Sequence, residues 1–420
     1  MDIATDHNAQ MRTNPVFQTA KTAVCLMAKA DVPDSSAIVH ALGVKADEVL
    51  QSMADPDILL GNALVVETKY RTMCSLIKAS GYHTCADLPC GYTPKALRLT
   101  EGGIRFIGLD LPIVADEMEP VMRSLATHPE RMSFYGVDAT NLESLVSALR
   151  NENQPLCITT EGMMMYFNES EVNTVISNIR SILEIHGGSW ITPDPEFMLQ
   201  FFGSFRSVFG ERFLEKLATT KVAAKEQSDV SNLCNSFILN PADALGSAGT
   251  AEETLRKHGL KVEKINLAEH MPTLNIYRQL TQHQISNFQE EMKQCHYWAI
   301  TLDGTQERQN HERIQDKVPF DMRCSIENNV FQVSLCGRLD SLTAPSLLTA
   351  WEHAKGTNTI NRIEIDCSML YYITSAGVRV LLILQEGCEF GVTLNAVNCH
   401  IDKMLTQKRF TKISLQQPSW

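Results

Sequence analysis

Five short apolar runs, 84–88, 105–110, 132–137, 156–160 and 189–192, recur along the chain with amphipathic stretches of helical period between them. Runs of this length bounded by turn signals are strands, and the helical crossovers return each strand parallel to the last. The region therefore reads as an α/β doubly wound parallel sheet with helices on both faces. A further pair, 262–267 and 296–302, reads as a closing hairpin. Ahead of the first strand, residues 17–30, 35–42, 46–53 and 70–77 carry helical patterns, which makes residues 1–80 a helical cap. Residues 197–240 are helical in pattern, and Phe201, Phe202, Phe205 and Phe209 are spaced to share one face, a stripe suited to core packing.

The loop after the first strand, Asp87-Leu-Pro-Cys-Gly-Tyr-Thr-Pro-Lys-Ala96, turns at Gly91 and restarts as a helix after Pro94. The second strand ends on Asp110, about twenty residues beyond that turn, where an acid accepts both hydroxyls of a ribose. Pro89 and Cys90 stand where a dinucleotide fold needs glycine, so the loop offers no tight cradle for a pyrophosphate. A nucleoside cofactor without phosphates, such as S-adenosylmethionine, fits it better.

Composition narrows the partners. The formal net charge is −12, while residues 321–420 hold nine basic and nine acidic side chains, so the acidic excess lies in residues 1–320 and no basic patch is supplied for nucleic acid. The twelve cysteines show neither a C-x-x-C pair nor zinc-type spacing, and read as reduced, buried thiols with no metal role. The polar start is no signal peptide, and no apolar run approaches the roughly 20 residues that span a bilayer, which points to the cytoplasm.

Residues 1–302 resemble the leucine carboxyl methyltransferase family, whose bacterial members include polyketide O-methyltransferases, on three segments in order: Arg71 before the first strand, the 87–94 loop, and Thr160-Glu-Gly-Met-Met-Met-Tyr-Phe167 after the fourth. Gly136-Val-Asp-Ala-Thr140 adds an acidic loop after the third. The resemblance implies a class I fold and S-adenosylmethionine as cofactor. It implies Arg71 on the cofactor carboxylate and Asp87 and Gly91 in the cofactor loop. Asp110 and Leu111 then flank the ribose, Asp138 and Ala139 the adenine, with Glu161 at the mouth and Tyr166 against the acceptor. Structural roles stand beside these: Asp110 as cap of the helix at Pro112, Asp138 as cap of the helix at Asn141, Arg71 as the i,i+4 partner of Glu67. The 163–165 methionines read as soft packing. A small-molecule carboxylate, already ionised near neutral pH, needs no general base; a phenol gains from one, and His83, His186 and His270 are available.

Residues 303–319 are polar and read as a linker. Beyond it, residues 320–420 alternate strand (330–336), helix (342–353), strand (362–366) and helix (375–384), a small α/β domain. Gly337-Arg-Leu-Asp340, Thr343-Ala344 and Tyr372-Ile-Thr-Ser-Ala-Gly-Val-Arg379 resemble the STAS fold of anti-sigma-factor antagonists. The resemblance implies Ser375, at the start of a helix, as a phosphoacceptor, with Thr374 standing where many regulated members carry Asp. A helix-capping role for Ser375, docking of a protein partner and homodimer formation stay open for this module. So does a non-catalytic reading of the whole chain, in which the first fold senses cofactor and the second signals to a partner.

Overall fold

The computed structural model describes residues 15–53, 55–213, 215–216, 247–303, 320–340, 342–397, 401 and 413–416. The chain divides into two units, Met1–Thr140 with Leu156–Ser177 and Ser189–Thr301, and Asn141–Pro155 with Asn178–Gly188 and Leu302–Trp420. A seven-stranded sheet occupies the first and a five-stranded sheet the second.

The seven strands are β1 (Thr84–Asp87), β2 (Arg105–Asp110), β3 (Met132–Gly136), β4 (Leu156–Thr159), β5 (Gly188–Thr192), β6 (Leu260–Asn266) and β7 (His296–Leu302), in the order β3-β2-β1-β4-β5-β7-β6. β1 pairs in parallel with β2 and β4, and β7 runs antiparallel to β5. This is the doubly wound sheet expected, with β7 antiparallel in it. β1 and β4 are buried along their whole length, as central strands of a parallel sheet covered on both faces are. β6 and β7 are neighbours but no tight hairpin, because residues 267–295, including a helix at Gln282–Met292, lie between them.

Helices α1 (Pro15–Lys29), α2 (Ser35–Ala41) and α3 (Pro56–Ala79) precede β1. α3 is much longer than the 70–77 segment expected. Pro56 is its first residue, and the Asp55 side chain accepts from the N–H groups of Asp57 (2.9 Å) and Ile58 (3.4 Å), satisfying donors that an α-helix start leaves open. Helix α4 (Lys95–Glu101) links β1 to β2, α5 (Pro112–Leu125) β2 to β3, α6 (Leu142–Leu149) β3 to β4, and α7 (Glu169–His186) β4 to β5. In α8 (Phe197–Phe209) the rings of Phe201 and Phe205 stand 4.5 Å apart and those of Phe205 and Phe209 5.4 Å, the expected core stripe. Phe202 leaves that stripe, since adjacent helical residues do not share a face, and meets Phe213 edge-on. Residues 217–240 of the expected helical stretch and 304–319 of the linker lie outside the described residues.

In the second unit, β8 (Asp321–Glu327), β9 (Val330–Leu339), β10 (Arg362–Ile373), β11 (Val392–Asn395) and β12 (Ile413–Gln416) are ordered β12-β11-β10-β9-β8, with helices α9 (Ala344–Thr357) and α10 (Ser375–Glu386). Leu347, Trp351, Leu381 and Leu384 join Phe331, Ile363 and Ile365 in its core.

Candidate functional site

The strand order reverses between β1 and β4, and in open α/β sheets ligands bind at such a switch point, beyond the carboxyl ends of the strands. Asp87, Asp110 and the segments beginning at Val137 and Thr160 all leave the sheet at that edge.

Gly91 carries the first loop through φ +53°, a left-handed conformation that glycine reaches without strain. The turn brings the Gly91 N–H to Asp110 Oδ2 at 2.8 Å, while the N–H of Leu111 reaches Oδ1 at 2.7 Å and the Cys90 thiol lies 3.9 Å from Oδ2. Asp110 thus ties β2 to the loop after β1, and its own side chain does not cap α5, whose N-cap is Leu111. Burial pushes its pKa up to about 6, with the two N–H groups offsetting part of that cost.

Asp87 points into the sheet. It is fully buried, takes the ammonium of Lys95 at 2.9 Å on Oδ1 and 2.8 Å on Oδ2, the latter off the hydrogen-bond direction, and accepts the Thr159 hydroxyl at 2.7 Å. Burial raises the Asp87 pKa despite Lys95; the same burial would lower that of Lys95, but the carboxylates of Asp87 and Glu161 outweigh it and hold the lysine protonated. Lys95 also reaches Glu161 Oε2 at 3.5 Å, joining the end of β1 to the end of β4. Asp87 is therefore built into the scaffold beneath the site.

Glu161 has a second cation, Lys69 of α3, whose Nζ is 3.9 Å from Oε1 and 4.8 Å from the centre of the Phe197 ring. Arg71, two positions on, donates from Nε to Glu67 at 2.6 Å. Glu67 is wholly buried and also accepts the N–H groups of Asn275 (2.7 Å) and Ile276 (2.8 Å). The partner that the sequence offered Arg71 is the one it has.

Asp138 accepts from the N–H and hydroxyl of Thr140, at 2.8 and 2.7 Å, and remains exposed beside buried Ala139. The cap of α6 is instead Asn141, whose side chain accepts from the Ser144 N–H at 3.1 Å. Tyr166 ends a short turn of helix, Met164–Tyr166, half-buried, while Met163 and Met164 are core. That turn hangs on a residue that sequence reasoning missed: Asp194, after β5, accepts the N–H groups of Gly162 (2.6 Å), Met163 (3.2 Å) and Met164 (3.2 Å). Glu196, equally missed, accepts from the His296 N–H (2.6 Å) and the Trp298 ring (2.9 Å). Among the histidines, His83 precedes β1 and so lies at the far edge of the sheet. His186 is buried, bonded to the Glu152 carbonyl at 2.9 Å, with its pKa pushed down to about 4 by burial; it is a core residue. Among the described residues no group of three His, Cys, Asp or Glu is arranged to hold a metal, and no helix is long and apolar enough to cross a membrane.

In the second unit the two segments singled out by sequence meet. Arg338 lies opposite Tyr372 in the β9–β10 pairing, its guanidinium 4.3 Å from the ring centre, and the Thr374 N–H donates to the Leu339 carbonyl at 3.1 Å. A Cβ on Gly377 would stand 2.4 Å from that same carbonyl oxygen, so α10 can start here only with glycine at this position. The N-cap of α10 is Thr374, which accepts from the Ala376 N–H at 3.3 Å; Ser375 is the first helical residue, not the cap.

Residues 322–416 match the family model described as the Mlab, STAS domain. No curated protein matches the chain. Among solved structures, the chain is similar to the anti-sigma factor antagonist SpoIIAA in its unphosphorylated form (15% identity, 24% of this chain and 90% of that one, TM-score 0.21). It is also similar to an O-methyltransferase family protein from Burkholderia thailandensis (14%, 61% and 62%, TM-score 0.32) and to human N-acetylserotonin methyltransferase in complex with S-adenosylmethionine (11%, 66% and 65%, TM-score 0.31). The chain spans less than two thirds of these two methyltransferase chains.

Proposed function

We propose that residues 1–302 bind S-adenosylmethionine and transfer its methyl group to an oxygen of a small carboxylate or phenol, and that the C-terminal module regulates or docks this enzyme. The observation that supports it most is Asp110: an acid held at the switch point by two backbone N–H groups, with lone pairs remaining for two ribose hydroxyls. The donor set fits a nucleoside. Leu111 and Ala139 offer apolar surface on either side of an adenine, and Asp138 accepts from its amino group. When bound, the cofactor supplies an electrophilic methyl group, so the chain has only to align the acceptor and exclude water. Tyr166 takes the acceptor side in this reading, and the Asp194-anchored turn fixes where it stands.

Calorimetry of the intact chain with S-adenosylhomocysteine tests the first half, and absence of binding would end the reading. The acceptor class follows from transfer of labelled methyl to a panel of carboxylates and phenols, because a methyl ester is released by mild base and an aryl ether is not. In the second unit, a phosphate on Ser375 would add negative charge at the first residue of α10, the positive end of the helix dipole. Mass spectrometry of the protein from its native host, with partner capture by wild type and Ser375→Glu, reads that role directly.

A further inference from the structure

The cation that α3 turns toward the site loop is Lys69, not Arg71. Two positions on an α-helix are about 200° apart around the axis, so α3 cannot present both residues to one ligand. Arg71 is turned toward Glu67, which takes its Nε–H. Lys69 has 10% of its side chain exposed, and among the described residues its ammonium makes no hydrogen bond: its ion pair with Glu161 is loose at 3.9 Å, and its other neighbour is the face of Phe197. A largely buried ammonium without a close hydrogen-bond partner is costly unless something completes it. Glu161 is likewise incompletely used, since Lys95 holds Oε2 at 3.5 Å while Oε1 faces Lys69, and 13% of its side chain stays exposed.

We propose that Lys69 and Glu161 together seat an α-amino-acid zwitterion, the head group of the cofactor named above, with Lys69 on the carboxylate and Glu161 on the ammonium. An α-amino acid carries its opposite charges across a single carbon, and a cation and an anion 3.9 Å apart, too far for a hydrogen bond with each other, match that pair with reversed sign. This assignment rests on the cofactor reading and moves the carboxylate contact from Arg71 to its neighbour.

The test is calorimetry of the full chain with three ligands: S-adenosylhomocysteine, its decarboxylated analogue, and 5′-methylthioadenosine, which lacks the amino-acid head altogether. Wild type should bind S-adenosylhomocysteine at least tenfold more tightly than either of the others. Lys69→Met should remove most of that preference and leave 5′-methylthioadenosine affinity within twofold; Lys69→Arg should restore part of it, and Arg71→Lys should change little. Equal wild-type affinity for all three ligands overturns the inference while keeping the cofactor reading. Loss of the preference in Arg71→Lys but not in Lys69→Met also overturns it, returning the carboxylate to Arg71. Binding of none of the three brings down both.

Discussion

Asp110 and His186 show how burial writes a pH response into single residues. Asp110 has its pKa raised from the usual 3.8 to about 6, so the native chain holds a proton there that the unfolded chain has lost. That contribution to stability is complete below pH about 4 and is gone above about 6, on the order of 2 to 3 kcal/mol. His186 works in the other direction. With its pKa lowered to about 4, its contribution is complete above about 6.5 and is lost as pH falls through 4. The two nearly cancel across the same window, so melting curves would hide both, whereas ligand affinity isolates Asp110. In the proposed cofactor site ribose hydroxyls would donate to the ionised acid, so S-adenosylhomocysteine affinity should fall below pH about 6, approaching tenfold per unit. Asp110→Ala should lower affinity by about 1 to 3 kcal/mol and flatten that profile. A wild-type titration with no inflection between pH 5 and 7 would contradict the role given to Asp110.

Elements, rather than residues, hold the site open. The turn carrying Glu161 and Tyr166 depends on three N–H groups converging on Asp194, so Asp194→Ala should cost about 1 to 3 kcal/mol for the donors it strands and should depress methyl transfer by more than it depresses stability. Denaturant melts set beside initial rates check that. Strands β1, β2, β4 and β5 were legible because buried strands leave largely apolar runs. β8 was not, being an edge strand whose side chains are nearly all exposed and carry no alternation. β10 continues to Ile373, well past the expected end at 366, because bulges between Asp366 and Met369 and between Leu370 and Tyr372 break the two-residue period. The start of α3 was written in Asp55-Pro56 and passed over. Asp110 was found because its distance from the loop glycine is a pattern of spacing. Asp194 and Glu196 were not, because their partners lie remote in sequence, and only the Pro193-Asp194-Pro195 run hinted at a fixed turn; of the partners of Glu67 only Arg71 was readable. Lys69 was hidden beside Arg71, since choosing between them needs the rotation of a helix whose extent was unread.

Two sheets with separate cores predict two transitions for the whole molecule. Only one should move with S-adenosylhomocysteine, by about 2.7 kcal/mol at a hundredfold excess over Kd, and Ser375→Glu should leave that shift unchanged. A single transition shifting as a whole would mean that the units unfold together. The distribution of thiols offers a way to watch each unit alone. Cys25, Cys74, Cys85, Cys90, Cys157 and Cys295 are buried in the first unit and Cys367 and Cys388 in the second, while Cys324 is exposed and Cys336 half-exposed. A sulfhydryl reagent should mark Cys324 at once and Cys336 soon after, then pause. Among these described thiols every later label must wait for a fluctuation that opens the surrounding core, so they act as a clock for local opening. Mapping the late labels by peptide mass would time the two units independently, and a ligand seated between the loop and Asp110 should slow the Cys90 hand of that clock while leaving Cys367 to keep its own time.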